Sequence, residues 1–177
     1  MAKLKVLKRF SRKTMCRVVR SCAIAFLVLL IGPAFGDQGL RDLDGEPGAI
    51  ADHFEPERWL AVLIWSYSCP ICRQEIPGYI TLSERHAPGD IAVLGVSLDG
   101  QDNIVDAWGF VAEFDVPFPN LIGEPAVVAD YYRKVTGHGF QGTPSLMLFA
   151  PGGKFKVAQV GAVPVTAIEA FVSAHSD

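Results

Sequence analysis

Trp65-Ser66-Tyr67-Ser68-Cys69-Pro70-Ile71-Cys72-Arg73-Gln74-Glu75-Ile76-Pro77 is the stretch on which the reading of this 177-residue chain turns. It begins on the last residue of an unbroken apolar run, 59–65 (Trp-Leu-Ala-Val-Leu-Ile-Trp), short enough for a strand buried on both faces. From Pro70 to about residue 86 the pattern predicts a helix. Pro70 is tolerated in its first turn, and Pro77 is expected to kink it. Cys69 and Cys72 therefore fall at a helix start. A thiolate there is stabilised by unpaired backbone N–H groups and the positive end of the helix dipole. The second thiol, one turn along, stands where it can attack a mixed disulfide formed by the first. That placement predicts thiol–disulfide exchange, with Cys69 as nucleophile at a pKa of about 6–8 and Cys72 as the resolving thiol.

Working towards the N-terminus, residues 1–20 carry eight basic side chains and no acidic one, and residues 22–31 are apolar. Gly32-Pro33 follows, and the small residues Ala34 and Gly36 flank Phe35 in the pattern of a signal cleavage site. We read 1–36 as an export signal, cut after Gly36 or, as second choice, after Ala34. An uncleaved anchor is the alternative, although the apolar stretch is shorter than the ~20 residues that span a bilayer. Cys16 and Cys22 lie in this segment, so Cys69 and Cys72 are the only thiols of the remainder. The remainder keeps eight basic against nineteen acidic residues, a balance of −11. It has no electrostatic reason to bind nucleic acid or anionic lipid. Its 141 residues fit one domain with a sizeable core. A Cys69–Cys72 bridge closes so small a loop that it is worth only about 2 kcal/mol on the chain-entropy model, a poor reason for having it.

Downstream and upstream of the cysteines, the pattern alternates. Residues 37–58 are polar and turn-rich, with Gly45 and Gly48 suggesting a short hairpin or extension. Residues 91–97 read as a second buried strand. Ile104, Val105, Trp108, Val111 and Ala112 recur at helical spacing, with Asp99 or Asp102 as the expected cap. A helix over 126–135 ending near Gly137, a strand over 145–149, a turn at Pro151-Gly152-Gly153, its paired strand over 154–160 and a helix over 165–175 complete the chain. Strands alternating with helices, then a hairpin and a helix, predict an α/β fold with a mixed central sheet.

That order, with Cys-x-x-Cys opening the first main helix and Thr143-Pro144 opening a late strand, resembles the thioredoxin fold. More narrowly it resembles the TlpA/ResA group of exported thiol–disulfide oxidoreductases, which includes cytochrome c maturation proteins. The resemblance covers about residue 40 to the end. Trp65 matches the group's tryptophan four before the first cysteine. Cys72-Arg73-Gln74-Glu75-Ile76-Pro77 is similar to its cysteine, basic residue, any residue, glutamate, apolar residue, proline. Gly95-Val96-Ser97-Leu98-Asp99 resembles the end of its second strand. The resemblance implies a thioredoxin-like domain over 59–177, flanked by helices on both faces, after an extension over 37–58. It implies a cis bond at Thr143-Pro144, Glu75 as an acid–base group, and Thr143, Pro144, Tyr67 and Trp65 as substrate-binding residues. No cofactor is implied beyond a redox-active Cys69–Cys72 disulfide. The implied setting is the periplasm, with protein disulfides as substrates and a membrane electron donor of DsbD type.

Some positions depart from the group. Ser68 replaces the tryptophan usual before the first cysteine, which is expected to open Cys69 and bring a hydroxyl near its sulfur. Leu63 stands where cytoplasmic thioredoxins carry a buried aspartate. Thr143 before the proline is more like the DsbC-type isomerases, so an oxidase or isomerase is the alternative function. A peroxiredoxin would use Ser66, three before Cys69, but has proline where this chain has Val62. A copper-handling protein would use Cys69, Cys72 and His138, yet His53, His86, His138 and His175 show no paired metal spacing.

Overall fold

The apolar run 59–65 becomes the middle of a sheet. The computed structural model describes residues 39–86 and 89–176; the expected signal over 1–36 lies outside them. In chain order the elements are β1 (Arg41–Asp42), β2 (Trp59–Trp65), α1 (Pro70–Arg85), β3 (Ile91–Ser97), α2 (Ile104–Glu113), β4 (Asn120–Ile122), α3 (Pro125–Thr136), β5 (Ser145–Ala150), β6 (Lys154–Val160) and α4 (Val165–Ala174). The strands lie in the order β1-β4-β3-β2-β5-β6. β2, β3 and β4 are parallel, while β1, β5 and β6 run antiparallel to their neighbours. This is the expected α/β architecture, thioredoxin-like with a mixed sheet.

The period of two along β2 sends Trp59, Ala61, Leu63 and Trp65 to one face and Leu60, Val62 and Ile64 to the other. On the first face they meet α1 through Cys72, Ile76, Tyr79 and Leu82, α2 through Ala107 and Phe110, and α4 through Ile168 and Val172. On the second they meet Val128 and Tyr132 of α3, with Leu40 and Ile50. Helices on both sides are the reason β2 is apolar at every position. Leu63 is fully buried on the first face.

The polar N-terminal segment is a turn that feeds this sheet. Asp42 N–H donates to the Glu46 carbonyl (2.8 Å) and Gly45 N–H to the Asp42 carbonyl (3.1 Å), and Arg41 bridges back to Pro47. β1 then pairs with β4, a three-residue strand that hydropathy does not announce. Neither Asp99 nor Asp102 caps α2. A 3₁₀ turn, Gln101–Asn103, intervenes after Gly100, and Asn103 precedes α2 without a side-chain cap bond. α1 continues through Pro77, where the Thr81 hydroxyl donates to the Pro77 carbonyl (2.9 Å).

One glycine is fixed by packing. A Cβ at Gly95 would lie 1.8 Å from Asn120 Oδ1 and 2.9 Å from Trp65 Nε1. The Trp65 indole N–H donates to that same Asn120 oxygen (3.1 Å), tying β2 to β4 across β3. Only a residue without a side chain lets this bond pass over the intervening strand.

Candidate active site

Beyond Trp65 the chain makes one turn before α1. Cys69 N–H donates to the Ser66 carbonyl (3.1 Å), which closes that turn. Cys69 is the N-cap of α1, in extended conformation, with Pro70 in the first helical turn. Its sulfur accepts the Cys72 N–H (3.1 Å), one of the donors that a helix start leaves unpaired. The Cys69 thiol also lies 3.5 Å from the Thr143 carbonyl, to which it donates. The Thr143–Pro144 peptide bond is cis, and Pro144 is buried directly before β5. Both thiols are free; Cys69 is half-buried, whereas Cys72 is 1% exposed.

The two sulfurs sit in different electrostatic surroundings. Burial pushes the Cys69 thiol up, but hydrogen bonds from the Cys72 thiol, the Thr143 side chain and the backbone N–H groups of Cys72 and Ile71 outweigh it, and the net shift is downward. Cys72 is pushed up to about 12 by burial first, then by its hydrogen bond to Cys69 and the charge there. The Ser66 backbone and the Thr143 side chain pull it partly back. Tyr79 on the same face of α1 is raised by burial, with Glu75 and Cys72 adding to it. One thiol is prepared to ionise and the other to stay protonated.

The remaining expected site residues are brought together unevenly. Tyr67 is half-buried beside Cys69, and Thr143 faces both sulfurs. Trp65 does not line a groove: it is 1% exposed, stacked on Phe110 with centroids 4.4 Å apart. Its place as the last inward residue of β2 puts it in the core. The Glu75 carboxylate accepts the Val163 N–H through Oε2 (3.1 Å), and Oε1 carries no hydrogen bond among the described residues. Arg73 pairs with Glu113 and lies over the rings of Phe110 (5.6 Å) and Phe114 (5.1 Å). The Ser68 hydroxyl meets Ser66 Oγ (3.0 Å) instead of the Cys69 sulfur. Among the described residues no three His, Cys, Asp or Glu side chains gather as a metal set, Cys69, Cys72 and His138 included.

Three residues at the site, Asp99, Ser66 and Ser97, escaped the sequence reading in this role. Asp99 accepts the Ser66 hydroxyl (2.5 Å), the Tyr67 N–H (2.9 Å) and the Ser97 hydroxyl (2.7 Å). Ser66 and Ser97 are both buried. The available signal was the parallel pairing of β2 with β3: Trp65 lies opposite Ser97, so residues 66–67 and 99 leave the sheet side by side.

Comparison with known proteins agrees with this geometry. A model described as the AhpC/TSA family matches residues 31–158, more than half of the chain. The thiol-disulfide oxidoreductase ResA of Oceanobacillus iheyensis is 25% identical over 109 residues, covering 62% of this chain and 53% of that protein. The chain thus spans about half the length of this curated relative. Among solved structures, a thioredoxin-related protein from Neisseria meningitidis serogroup B has a TM-score of 0.64 at 21% identity, covering 78% of this chain and 99% of that one. A thiol:disulfide interchange protein of the thioredoxin family from Chlorobium tepidum TLS has a TM-score of 0.63 at 18% identity, covering 77% and 90%. At these identities the likeness is one of fold. With a family model spanning most of the sheet and ResA as its sequence relative, the chain belongs to the AhpC/TSA family, as a protein of TlpA/ResA type.

Proposed function

We propose that this protein is an exported thiol–disulfide oxidoreductase that reduces disulfides in other exported proteins. The observation that carries the reading is the asymmetry of the two thiols: Cys69 half-buried, N-capping α1 and shifted down, Cys72 buried one turn along and shifted up to about 12. The Cys69 thiolate attacks a substrate disulfide. A Cys69–substrate bond forms, the substrate S–S bond breaks, and the leaving thiolate takes a proton. Cys72 then gives up its proton and attacks the Cys69 sulfur, releasing the second substrate thiol and leaving a Cys69–Cys72 disulfide. Two electrons pass to the substrate, and the pair itself is the only redox group required.

With Cys69 in the mixed disulfide its charge no longer opposes ionisation of Cys72, which makes the second step easier than the resting state suggests. Glu75, three residues along α1, is the group we assign to accept that proton, through its free Oε1. Tyr67, Thr143 and the exposed Ile71 offer an extended substrate chain a surface beside Cys69, with the buried Pro144 behind Thr143. In the periplasm, the location we infer, the disulfide is recharged by a membrane donor of DsbD type. The TlpA/ResA resemblance points to substrates such as apocytochrome c.

One observation favours the oxidase or isomerase alternative: the Thr143 side chain stabilises charge on both sulfurs, and so favours the dithiol. A peroxidase would direct Ser66 at Cys69, but the Ser66 hydroxyl is committed to Asp99 and Ser68. The deciding experiment is the reduction potential of the Cys69/Cys72 pair in residues 37–177, equilibrated against thiol buffers. A value of about −270 mV or lower supports the reductant; one at about −180 to −120 mV overturns it in favour of the alternative.

A further inference from the structure

We propose that Asp99 is a positioning residue for the dithiol, fixing through Ser66 and Tyr67 the turn that presents both sulfurs. The inference rests on the reading of Cys69 and Cys72 as an exchange pair. It begins with where Asp99 is held. Its own N–H is bonded to Ser97 Oγ (3.1 Å), and its carbonyl accepts the Asn103 side-chain amide (2.7 Å). Leu98 N–H continues the sheet ladder to the Trp65 carbonyl (3.1 Å). The carboxylate is thus anchored to the end of β3 before it touches the cysteine loop.

From that anchor each oxygen has defined work. Oδ1 takes the Ser66 hydroxyl; Oδ2 takes the Tyr67 N–H and the Ser97 hydroxyl. Because the Ser66 hydroxyl donates to Asp99, its lone pairs are left for the Ser68 hydroxyl and the Ser68 N–H (3.3 Å). Two successive residues, Ser66 and Tyr67, are pinned at one carboxylate, and Ser68 is held through Ser66. Ser66 in turn reaches both cysteines: its carbonyl receives the Cys69 N–H (3.1 Å), and the Cys69 sulfur that this turn places accepts the Cys72 N–H (3.1 Å). Loosening Ser66 therefore shifts both sulfurs relative to the donors of the α1 terminus.

An asparagine at 99 has the same shape but only one oxygen. Its amide N–H₂ must face either the Ser66 hydroxyl or the Tyr67 N–H, and against the latter two donors meet. Positioning and bare charge then predict opposite signs. If Asp99 positions the turn, Asp99→Asn weakens the hydrogen bonding to Cys69 and raises its pKa. If its charge merely acts through space on the thiolate, removing it lowers that pKa.

The test is the pH dependence of Cys69 alkylation by iodoacetamide on the reduced full-length protein, with the adduct located by mass. For Asp99→Asn we expect about three- to tenfold slower alkylation at about pH 6 and a profile displaced to higher pH, the size of one lost ordinary hydrogen bond. Ser66→Ala, which keeps the charge and removes the tie, should shift the profile in the same direction, and the double variant no further than the larger single one. An unmoved or downward-shifted profile in a folded Asp99→Asn overturns the inference. If that variant does not fold, Ser66→Ala decides by the same criterion. Alkylation needs no disulfide substrate. A wild-type protein inactive in exchange, with the Asp99 effect present, would leave the positioning intact and remove the proposed function; the converse result would do the reverse.

Discussion

The two ends of β2 are each tied by one charged side chain, with different results. At the N-terminal end Arg58 donates through Nη2 to the carbonyls of His86 (3.2 Å) and Ile91 (3.1 Å), and through Nη1 to Glu55 (3.0 Å). His86 closes α1, so a cation sits where the helix dipole is negative. At the C-terminal end Asp99 gathers donors from residues that precede α1. The Arg58 tie consumes backbone acceptors and leaves a connection between β2, α1 and β3. The Asp99 tie shapes a turn whose product is two sulfurs beside unpaired N–H groups. One end holds the fold, and the other holds the turn that carries the two thiols.

If the ends are separable, substitutions should separate as well. The largest effect expected is at the sulfurs: Cys69→Ser should reduce turnover of a disulfide substrate to the level without protein while leaving the denaturation midpoint nearly unchanged. A retained rate would break the comparison at once. Gly95→Ala should cost about 2–3 kcal/mol in urea denaturation, because its Cβ displaces Asn120 and orphans the Trp65 indole N–H. A change under about 0.5 kcal/mol would show that Asn120 swings aside freely. Arg58→Ala should lose about 1–2 kcal/mol by the same measurement, with the alkylation profile of Cys69 unaltered.

The thiols add a pH signature that only the reactive end should show. Cys72 has a raised folded pKa, so its contribution to the stability of the reduced protein is full below the unfolded value of 9.0 and is lost as pH climbs through about 12. Cys69 is depressed, so its contribution is present above 9.0 and disappears as pH falls through its lower folded value. In denaturation of the reduced protein against pH, Cys72→Ser should remove the Cys72 part of the alkaline loss, leave the part that the raised Tyr79 contributes, and keep the acid-side dependence of Cys69. The smallest effect belongs to Glu75→Gln: about threefold slower release of substrate from a trapped mixed disulfide, with attack by Cys69 unaffected. Equal slowing of both steps would place Glu75 in the fold through Val163 instead.

What the sequence made legible follows the range of the forces involved. The helix start at Cys69, the buried strands 59–65 and 91–97, and the hairpin around Pro151-Gly152-Gly153 are written in neighbouring residues, and the structure places them there. β4 is three residues long and owes its pairing to β3 and β1, so no local period reveals it. Asp99 reads locally as a helix cap because a carboxylate before a helical pattern usually is one; two of its three donors lie 32 and 33 residues earlier. For Trp65 the resemblance implies a place at the substrate groove, whereas strand alternation assigns it to the core face of Ala61 and Leu63, where the structure has it. Ser68 shows the same limit: its partner depends on which way the Ser66 hydroxyl donates, and that is decided by Asp99.

The burial of Cys72 one turn behind a half-exposed Cys69 also governs what an oxidant does to the pair. Peroxide reaches the outer sulfur first and converts it to a sulfenic acid. In an isolated thiol that species can take up further oxygen and pass beyond easy repair. Here the inner thiol is already within hydrogen-bonding reach of the same sulfur. Condensation expels water and returns the pair to the disulfide that the proposed cycle generates anyway. A thiol set back from the surface thus limits oxidative damage to a state from which an ordinary reductant can recover the protein.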